Sequence, residues 1–340
     1  MTWLQMLLIF LPLAVIWNLL RRRKFVPDKT LQTEFVALPV SVDVIGYAKA
    51  LTAWLFLFTR TFTITPGVYY MGTYDPEAPL LVTGNYFLTL FSLRRRLGNR
   101  NVRILVIDTE GINVWCSSGK GKFSAVEIIE KARACHLLAG EESLRLILPK
   151  FSMAGVKLNE LRSAGIKPVI GPLYAKDLPT YLEGTVLRHR TEDKVRFNLE
   201  QRFFTAVPTA IQFFYNFLGI YVVTLGWLDQ IIVMIAVGLA FFYPLLFPYL
   251  PGKLFATKGI SLGIIMVVLF AGYYSLFSPT ALIANCYLAP FIFATAILVG
   301  LGYTGNSPIS NYSRVREEIA AFLPVIVIAY ILALVLYVVF

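Results

Sequence analysis

Charge is scarce in this chain. Only 15% of its 340 residues are Asp, Glu, Lys or Arg, against about 25% in ordinary soluble domains. With 57% of the residues hydrophobic, a protein solvated by water on all sides is excluded. Cysteine is scarcer. The three present, Cys116, Cys135 and Cys286, are too few and too scattered for a disulfide framework or a CxxC metal site. An iron-sulfur cluster normally takes four thiolates, so this chain alone should hold none. The two histidines, His136 and His189, stand apart from any metal-ligand spacing and read as ordinary surface or core residues. The phosphate-binding pattern GxxxxGK[ST] is also missing. Gly111 lies too far from Lys120, and Gly121 rather than Ser or Thr follows it, which argues against a P-loop.

The charge that exists is unevenly placed. Of 31 Lys and Arg residues, 26 lie between Arg21 and Arg196 and five in the last 140 residues, so a polar domain is joined to an apolar one. The formal net charge of +11 does not mark a nucleic-acid binder. The polar part also holds 17 acidic residues, and its basic runs, such as Arg94-Arg95-Arg96, lack interleaved aromatics, unlike an electrostatic footprint for nucleic acid.

Residues 3 to 20 form an apolar run of spanning length, followed at once by Arg21-Arg22-Arg23-Lys24. This order predicts an uncleaved anchor over residues 1–24, with its N-terminus outside and the basic run in the cytoplasm. Five further apolar runs, 204 to 226, 230 to 249, 259 to 277, 280 to 303 and 318 to 340, predict a five-helix transmembrane domain over 201–340. Lys253, Lys258, Arg314 and Arg316 fall in alternate loops, whereas the loops around Leu228-Asp229 and Ser278-Pro279 have no Lys or Arg. The positive-inside rule then places the chain in the cytoplasmic membrane as a multi-pass protein with its polar domain in the cytoplasm. Residues 25–65 read as a linker holding an amphipathic interfacial helix. Its apolar stretch ALTAWLFLF is too short to span and is bracketed by Lys49 and Arg60, which suits a helix lying on the membrane surface or on the domain.

Over 66–200 the pattern changes to short β-like runs alternating with helical stretches. LLVT (80 to 83), VRILVI (102 to 107), LRLIL (144 to 148) and KPVI (167 to 170) are followed by helical runs at Phe87 to Leu97, Ser124 to Leu138, Gly155 to Ser163 and Asp177 to Glu183. This alternation predicts an α/β domain, an open, mostly parallel sheet with helices on both faces. Ligands in such sheets bind beyond the carboxyl ends of the strands. One loop there, Asp108 to Lys122, is anomalously long. It carries Cys116 just ahead of Gly119, Lys120, Gly121 and Lys122, where a helix is expected to start. A helix N-terminus and nearby ammonium groups favour thiolate, making Cys116 either a reactive thiolate or metal ligand, or a small apolar residue packed under Trp115. Cys135 and Cys286 read as packed.

The segment Asn113-Val114-Trp115-Cys116-Ser117-Ser118-Gly119-Lys120 resembles the N[VI]WCA[AG]GK signature of the HgcA family of mercury-methylating corrinoid proteins. ITPGVYYMG (64 to 72), LLVTGNYFLT (80 to 89), ILVIDTEGINVWC (104 to 116), LILPKFSMAGV (146 to 156), IGPLYAKDLPTYL (170 to 182) and VRFNLEQRF (195 to 203) resemble successive blocks of the same family. The soluble blocks are also similar to the corrinoid domain of the corrinoid iron-sulfur protein of acetyl-CoA synthesis. Ser117 and Ser118 depart from the signature, Lys122 stands where Thr is expected, and the N-terminal anchor is not typical of the family.

The resemblance implies a corrinoid-dependent methyltransferase that passes a methyl group to Hg(II), with Cys116 as lower axial ligand of the corrinoid cobalt. It implies corrinoid contacts from Thr83, Asn85, Gly111, Asn113, Val114, Trp115, Ser117, Gly119, Lys120, Ser152, Gly155, Gly171 and Pro172. It further implies a ferredoxin-like iron-sulfur partner of the HgcB type as electron donor, a methyl-folate-linked methyl donor, and a possible homodimer. A membrane-bound methyl carrier of one-carbon metabolism with another acceptor is the alternative. A transporter is a third, disfavoured because the apolar runs hold no interior ionisable residue.

Overall fold

The runs of Val, Ile and Leu bounded by turn residues do form strands, and two further strands join them. The computed structural model describes residues 31–56, 62–139, 143–184, 195–223, 230–309 and 312–339. The anchor expected over residues 1–24, His189 and the Leu228-Asp229 loop lie outside these residues. The described residues divide between Val195 and Arg196 into two compact units.

The first unit runs β1 (Gln32–Ala37), α1 (Val44–Phe56), β2 (Gly67–Met71), β3 (Leu80–Gly84), α2 (Phe87–Leu97), β4 (Val102–Ile107), α3 (Val114–Gly119), α4 (Ala125–Ala134), β5 (Leu144–Leu148), α5 (Leu158–Ser163), β6 (Ile166–Ile170) and α6 (Leu178–Leu182). Its six strands lie in the order β1-β2-β4-β3-β5-β6. Neighbours are parallel except β2 against β4, which run antiparallel. The segment 25–65, read from sequence as a linker holding an interfacial helix, thus supplies an edge strand as well as a helix.

Side chains of successive strand residues alternate between faces, and each face here has its own core. Leu80, Val82, Leu105 and Ile107 pack with Phe123, Ile128 and Ala132 around α4 and with Leu161 of α5. Leu81, Ile104 and Val106 pack on the opposite face with Leu90 and Leu97 of α2 and Leu178 of α6. Cover on both faces explains why the central strands hold consecutive apolar residues, Leu80-Leu81-Val82 in β3 and Ile104 to Ile107 in β4, rather than alternating ones.

The second unit is helical: α7 (Leu199–Val223), α8 (Gln230–Leu246), α9 (Phe255–Phe277), α10 (Pro279–Ala284), α11 (Leu288–Tyr303) and α12 (Tyr312–Val339). Four segments, Leu199–Tyr221, Phe255–Phe277, Leu288–Asn306 and Arg314–Val339, are long and apolar enough to cross a membrane. The run at 230 to 249 yields a shorter apolar helix of 17 residues. The run at 280 to 303 is broken into α10 and α11. The third of the four long segments is the hub, 67% buried against 11% and 17% for the second and fourth. Gly259 of α9 and Gly300 of α11 permit this packing. A Cβ on either would meet a backbone oxygen of the other helix, Ala296 O at 2.6 Å or Phe255 O at 2.5 Å, the close approach that small residues allow between membrane helices.

Three of these helices carry ionisable groups near their starts. Arg202 in α7 and Glu318 in α12 are buried, 6% and 5% exposed. Both are answered by backbone: the Arg202 guanidinium donates to Leu245 O, and Glu318 Oε2 accepts from Ala256 N at 2.8 Å. Lys258 near the start of α9 donates to Phe247 O and Leu250 O at 2.8 and 2.6 Å. Helix ends leave amides and carbonyls without intrahelical partners, so charges at these positions are structural clamps on other helices' termini.

Candidate functional site

Because β3, β4, β5 and β6 are mutually parallel, the loops after them meet at one edge of the sheet, where the sequence places its candidate residues. Thr83, the last residue but one of β3, is buried, and Asn85, one residue beyond the strand, is 1% exposed. Asn85 Oδ1 accepts from Thr109 N at 3.0 Å, Thr109 Oγ1 at 2.9 Å and Gly111 N at 3.0 Å. Its Nδ2 donates to Asp108 Oδ1 at 3.0 Å. Both ends of the amide are therefore spent on the loop after β4. Glu110 and Gly111 there have φ of 56° and 68°, consecutive left-handed residues that Gly adopts freely and other residues do not. The Asn85 bonds, with Glu110 N donating to Asp108 Oδ1 at 2.9 Å, hold the turn in that conformation. Asp108 and Thr109 were not among the sequence candidates, since their partner sits 23 or 24 positions away.

The turn delivers the chain into α3, which starts at Val114 rather than near Gly119 as the sequence suggested. Asn113 is its N-cap, accepting from Cys116 N at 2.8 Å, in the manner usual for Asn. Ser124 caps the next helix, α4, accepting from Glu127 N at 3.3 Å. Cys116 consequently sits within the first turn of α3, partly exposed, with Trp115 partly exposed beside it and Val114 buried. Gly119 and Lys120 lie exposed at the far end, and Lys122 pairs with Glu110 at 3.0 Å.

Burial pushes the Cys116 thiol above its ordinary value, outweighing Lys120 and Asn113, which pull it down. The two groups expected to favour thiolate are present, but desolvation is the larger effect and favours the thiol. Burial likewise raises the Tyr86 hydroxyl, with the proximity of Cys116 as second cause. Only thiolate alkylates, so the rate at Cys116 should climb about tenfold per pH unit. Its midpoint should lie above the unperturbed 9.0. A midpoint at or below that value in an iodoacetamide pH series would show the thiol to be activated after all.

Ser117 and Ser118 are buried, and both hydroxyls donate to Val114 O, at 2.9 and 2.8 Å. They neither cap a helix at Gly119 nor direct their protons at the Cys116 sulfur. Val114 O keeps its helical partner without them, so the double change Ser117→Ala, Ser118→Ala should alter stability by less than about 1 kcal/mol. It should also leave the spectrum of any metal held at Cys116 unmoved. A clear spectral shift would mean that the hydroxyls reach the sulfur.

The loop after β5 completes the edge. Its 3-10 turn Lys150–Ser152 packs against α3, and a Cβ at Gly155 would fall 2.5 Å from Ser118 O and 2.8 Å from Phe123 O. Gly155 thus lets this loop press on the backbone of the Cys-bearing helix. Ser152 is fully buried, and its Oγ has no hydrogen-bond partner among the described residues. A buried unsatisfied hydroxyl is unusual and costs stability. After β6, Gly171 and Pro172 are buried, and Gly171 N donates to Leu148 O at 2.8 Å. Contacts therefore link all four loops, β3 to β4 through Asn85, β4 to β5 through Gly155, and β5 to β6 through Gly171. Among the described residues no group of three or more His, Cys, Asp or Glu side chains is placed to hold a metal ion.

The fold and the edge define an α/β domain with one cysteine presented on a short, tightly braced helix, carried in the same chain as four helices able to cross a membrane. No protein-family model matches the chain. It is 30% identical over 122 residues to the acetyl-CoA decarbonylase/synthase complex subunit gamma of Methanopyrus kandleri, and 28% identical over 126 residues to the subunit of the same name from Methanothermobacter thermautotrophicus. Each match covers 35% of this chain and 26% of the relative, so the chain spans about a quarter of the length of these proteins.

Proposed function

We propose that this chain is a membrane protein whose α/β domain binds a corrinoid and carries a methyl group, with Cys116 as the protein ligand of cobalt and Hg(II) as the methyl acceptor. The observation that carries this reading is the cysteine itself: a single partly exposed thiol, presented by a capped helix at the ligand-binding edge of a parallel sheet. The similarity of 35% of the chain to gamma subunits of acetyl-CoA decarbonylase/synthase, and the resemblance of the sheet domain's blocks to the corrinoid domain of acetyl-CoA synthesis, support the cofactor.

The residues at the edge fit such a group. Ser152 Oγ is a buried polar atom in want of a partner, and a corrinoid's rim of amides offers donors and acceptors. Gly155 and Gly171 let the loops close on one another and so brace the edge that such a ring would meet. A bound corrinoid would supply a cobalt centre that takes up a methyl group and yields it to an acceptor. Cys116 would hold that metal through Sγ, giving up its proton to solvent as it does so. Asn113 fixes the backbone that aims Sγ, and Asn85 fixes the turn from which that backbone departs. A thiolate is a soft, strongly donating ligand, and its donation would favour release of the methyl group with its electron pair, the form that Hg(II) accepts. Reduction between turnovers falls to a ferredoxin-like partner, and a methyl-folate-linked system supplies the methyl group.

The relatives' membership of an acetyl-CoA decarbonylase/synthase complex favours a second reading, in which the same carrier serves another acceptor in one-carbon metabolism. Purified full-length protein reconstituted with cobalamin separates these. Visible absorbance that co-elutes with the protein is expected, followed by formation of methylmercury on adding Hg(II) to the methyl-loaded form. No retained absorbance removes both readings. Retained absorbance with a methyl group inert to Hg(II) removes mercury and leaves the carrier.

A further inference from the structure

Helix α1 has an outward face of the wrong chemistry for water. Its inward stripe is made of small residues at helical spacing, Gly46, Ala50 and Ala53, of which Ala50 and Ala53 are buried, and it packs on α2. The stripe on the far side of the helix should then be polar. Instead it reads Val44, Ala48, Leu51 and Leu55, with Val44 85% and Leu51 53% exposed, and Ile45 and Tyr47 exposed on its flanks. The polar groups of this stretch are answered internally. Thr52 Oγ1 donates to Ala48 O at 2.8 Å, and Asp43 Oδ1 accepts from Gly46 N at 2.8 Å as the helix N-cap.

Beside this apolar face stands positive charge. Arg94 is occupied, donating to Pro39 O and Ser41 O at 2.7 Å each, and so fixes the segment that leads into α1. Arg95 and Arg96 are exposed. Arg95 lies over the rings of Tyr47 and Phe91, at 5.7 and 5.8 Å. Lys49 is exposed on α1 itself, and neither α1 nor α2 contains an acidic residue. Among the described residues no ion pair engages Lys49, Arg95 or Arg96.

We infer that the α1–α2 face is a docking surface for an anionic phospholipid bilayer, with Val44, Ile45 and Leu51 entering the acyl boundary and Lys49, Arg95 and Arg96 meeting the phosphates. An apolar helical face with flanking cations is the pattern of interfacial membrane helices, and the chain's own spanning helices keep the domain within reach of such a surface. The inference stands apart from the cofactor reading and holds whatever the sheet edge binds.

The test is amide hydrogen exchange of peptides covering 44–56 in the full chain, in nanodiscs of phosphatidylcholine alone and of phosphatidylcholine with phosphatidylglycerol. Exchange several-fold slower in the anionic discs is expected. The advantage should vanish in the Arg95→Glu, Arg96→Glu variant and survive in Arg95→Lys, Arg96→Lys, which separates charge from loss of the ring contact. Leu51→Asp, at an exposed position that leaves the core alone, should remove protection in both lipids. Equal exchange in the two lipids would overturn the inference. So would protection that follows protein concentration rather than lipid charge, since a second copy would then be the partner.

Discussion

Alanine at Cys116 is expected to leave the α/β domain folded, retain corrinoid, and shift the cobalt absorption bands, while methyl transfer falls by well over tenfold. The side chain is partly exposed, and the bond that places it, Asn113 Oδ1 to Cys116 N, is made by the backbone, so truncation leaves α3 intact. Loss of an outer-shell partner of a metal ligand commonly costs about 10 to 100-fold in activity or affinity, and removal of the ligand itself should cost at least as much. Cys135→Ala and Cys286→Ala serve as controls. Cys135 is buried at the end of α4 and faces Gln32 O, and Cys286 lies between α10 and α11, so neither should move the spectrum. If Cys116→Ala binds corrinoid with unaltered bands, the thiolate is not the ligand, and the chain's cysteine signature has another purpose.

The second large effect is structural. Asn85→Ala would strand three donors, Thr109 N, Thr109 Oγ1 and Gly111 N, that now converge on one oxygen. Thr109 Oγ1 can turn fully to Ile112 O, which it already approaches at 2.7 Å. The two amides cannot turn. A buried donor left unsatisfied costs roughly 1–3 kcal/mol, so a loss of about 3 kcal/mol is expected, together with release of the left-handed turn at Glu110 and Gly111. Asn85→Asp distinguishes the two ends of the side chain. It keeps the accepting oxygen but exchanges the donor facing Asp108 for a carboxylate, setting two negative charges against each other. Denaturant unfolding of the full chain, followed by intrinsic fluorescence, reads both variants. A loss under about 1 kcal/mol for the alanine variant would mean that water replaces the amide and the turn is held elsewhere.

What could be read from the sequence follows from how local each signal is. β4 and β5 match their apolar runs, β3 and β6 match to within one residue, and α2 spans the expected Phe87 to Leu97. These are apolar runs closed by Gly, Pro or polar turns, and their partners in the sheet are other runs of the same kind. β1 was not legible. QTEFVA is an edge strand with four of its six residues exposed, so burial imposes no apolar pattern on it. Helix α3 was hidden for a different reason, being short and built of Val, Trp, Cys and Ser, all mediocre helix formers. The signal that could have found it was Asn113, an N-cap residue three positions ahead of Cys116. The location of the candidate site at the carboxyl edge followed from alternation alone. The division of labour within it did not. Nothing local separates an Asn that contacts a ligand from one that braces a loop 24 positions away, and both ends of Asn85 turn out to be engaged.

The place of β1 bears on how this protein can be cut. It pairs with β2 from Gln32 opposite Gly67 to Ala37 opposite Tyr70, and β2 is bound on its other side by β4. A recombinant fragment beginning near Ile64 would lack β1 and would offer the outer rim of β2 to solvent. A bare strand rim recruits the rims of neighbouring molecules, so such a fragment should aggregate on expression, whereas one beginning before Leu31 keeps β2 paired on both sides and ends its sheet on β1, whose Gln, Thr and Glu suit a solvent-facing edge.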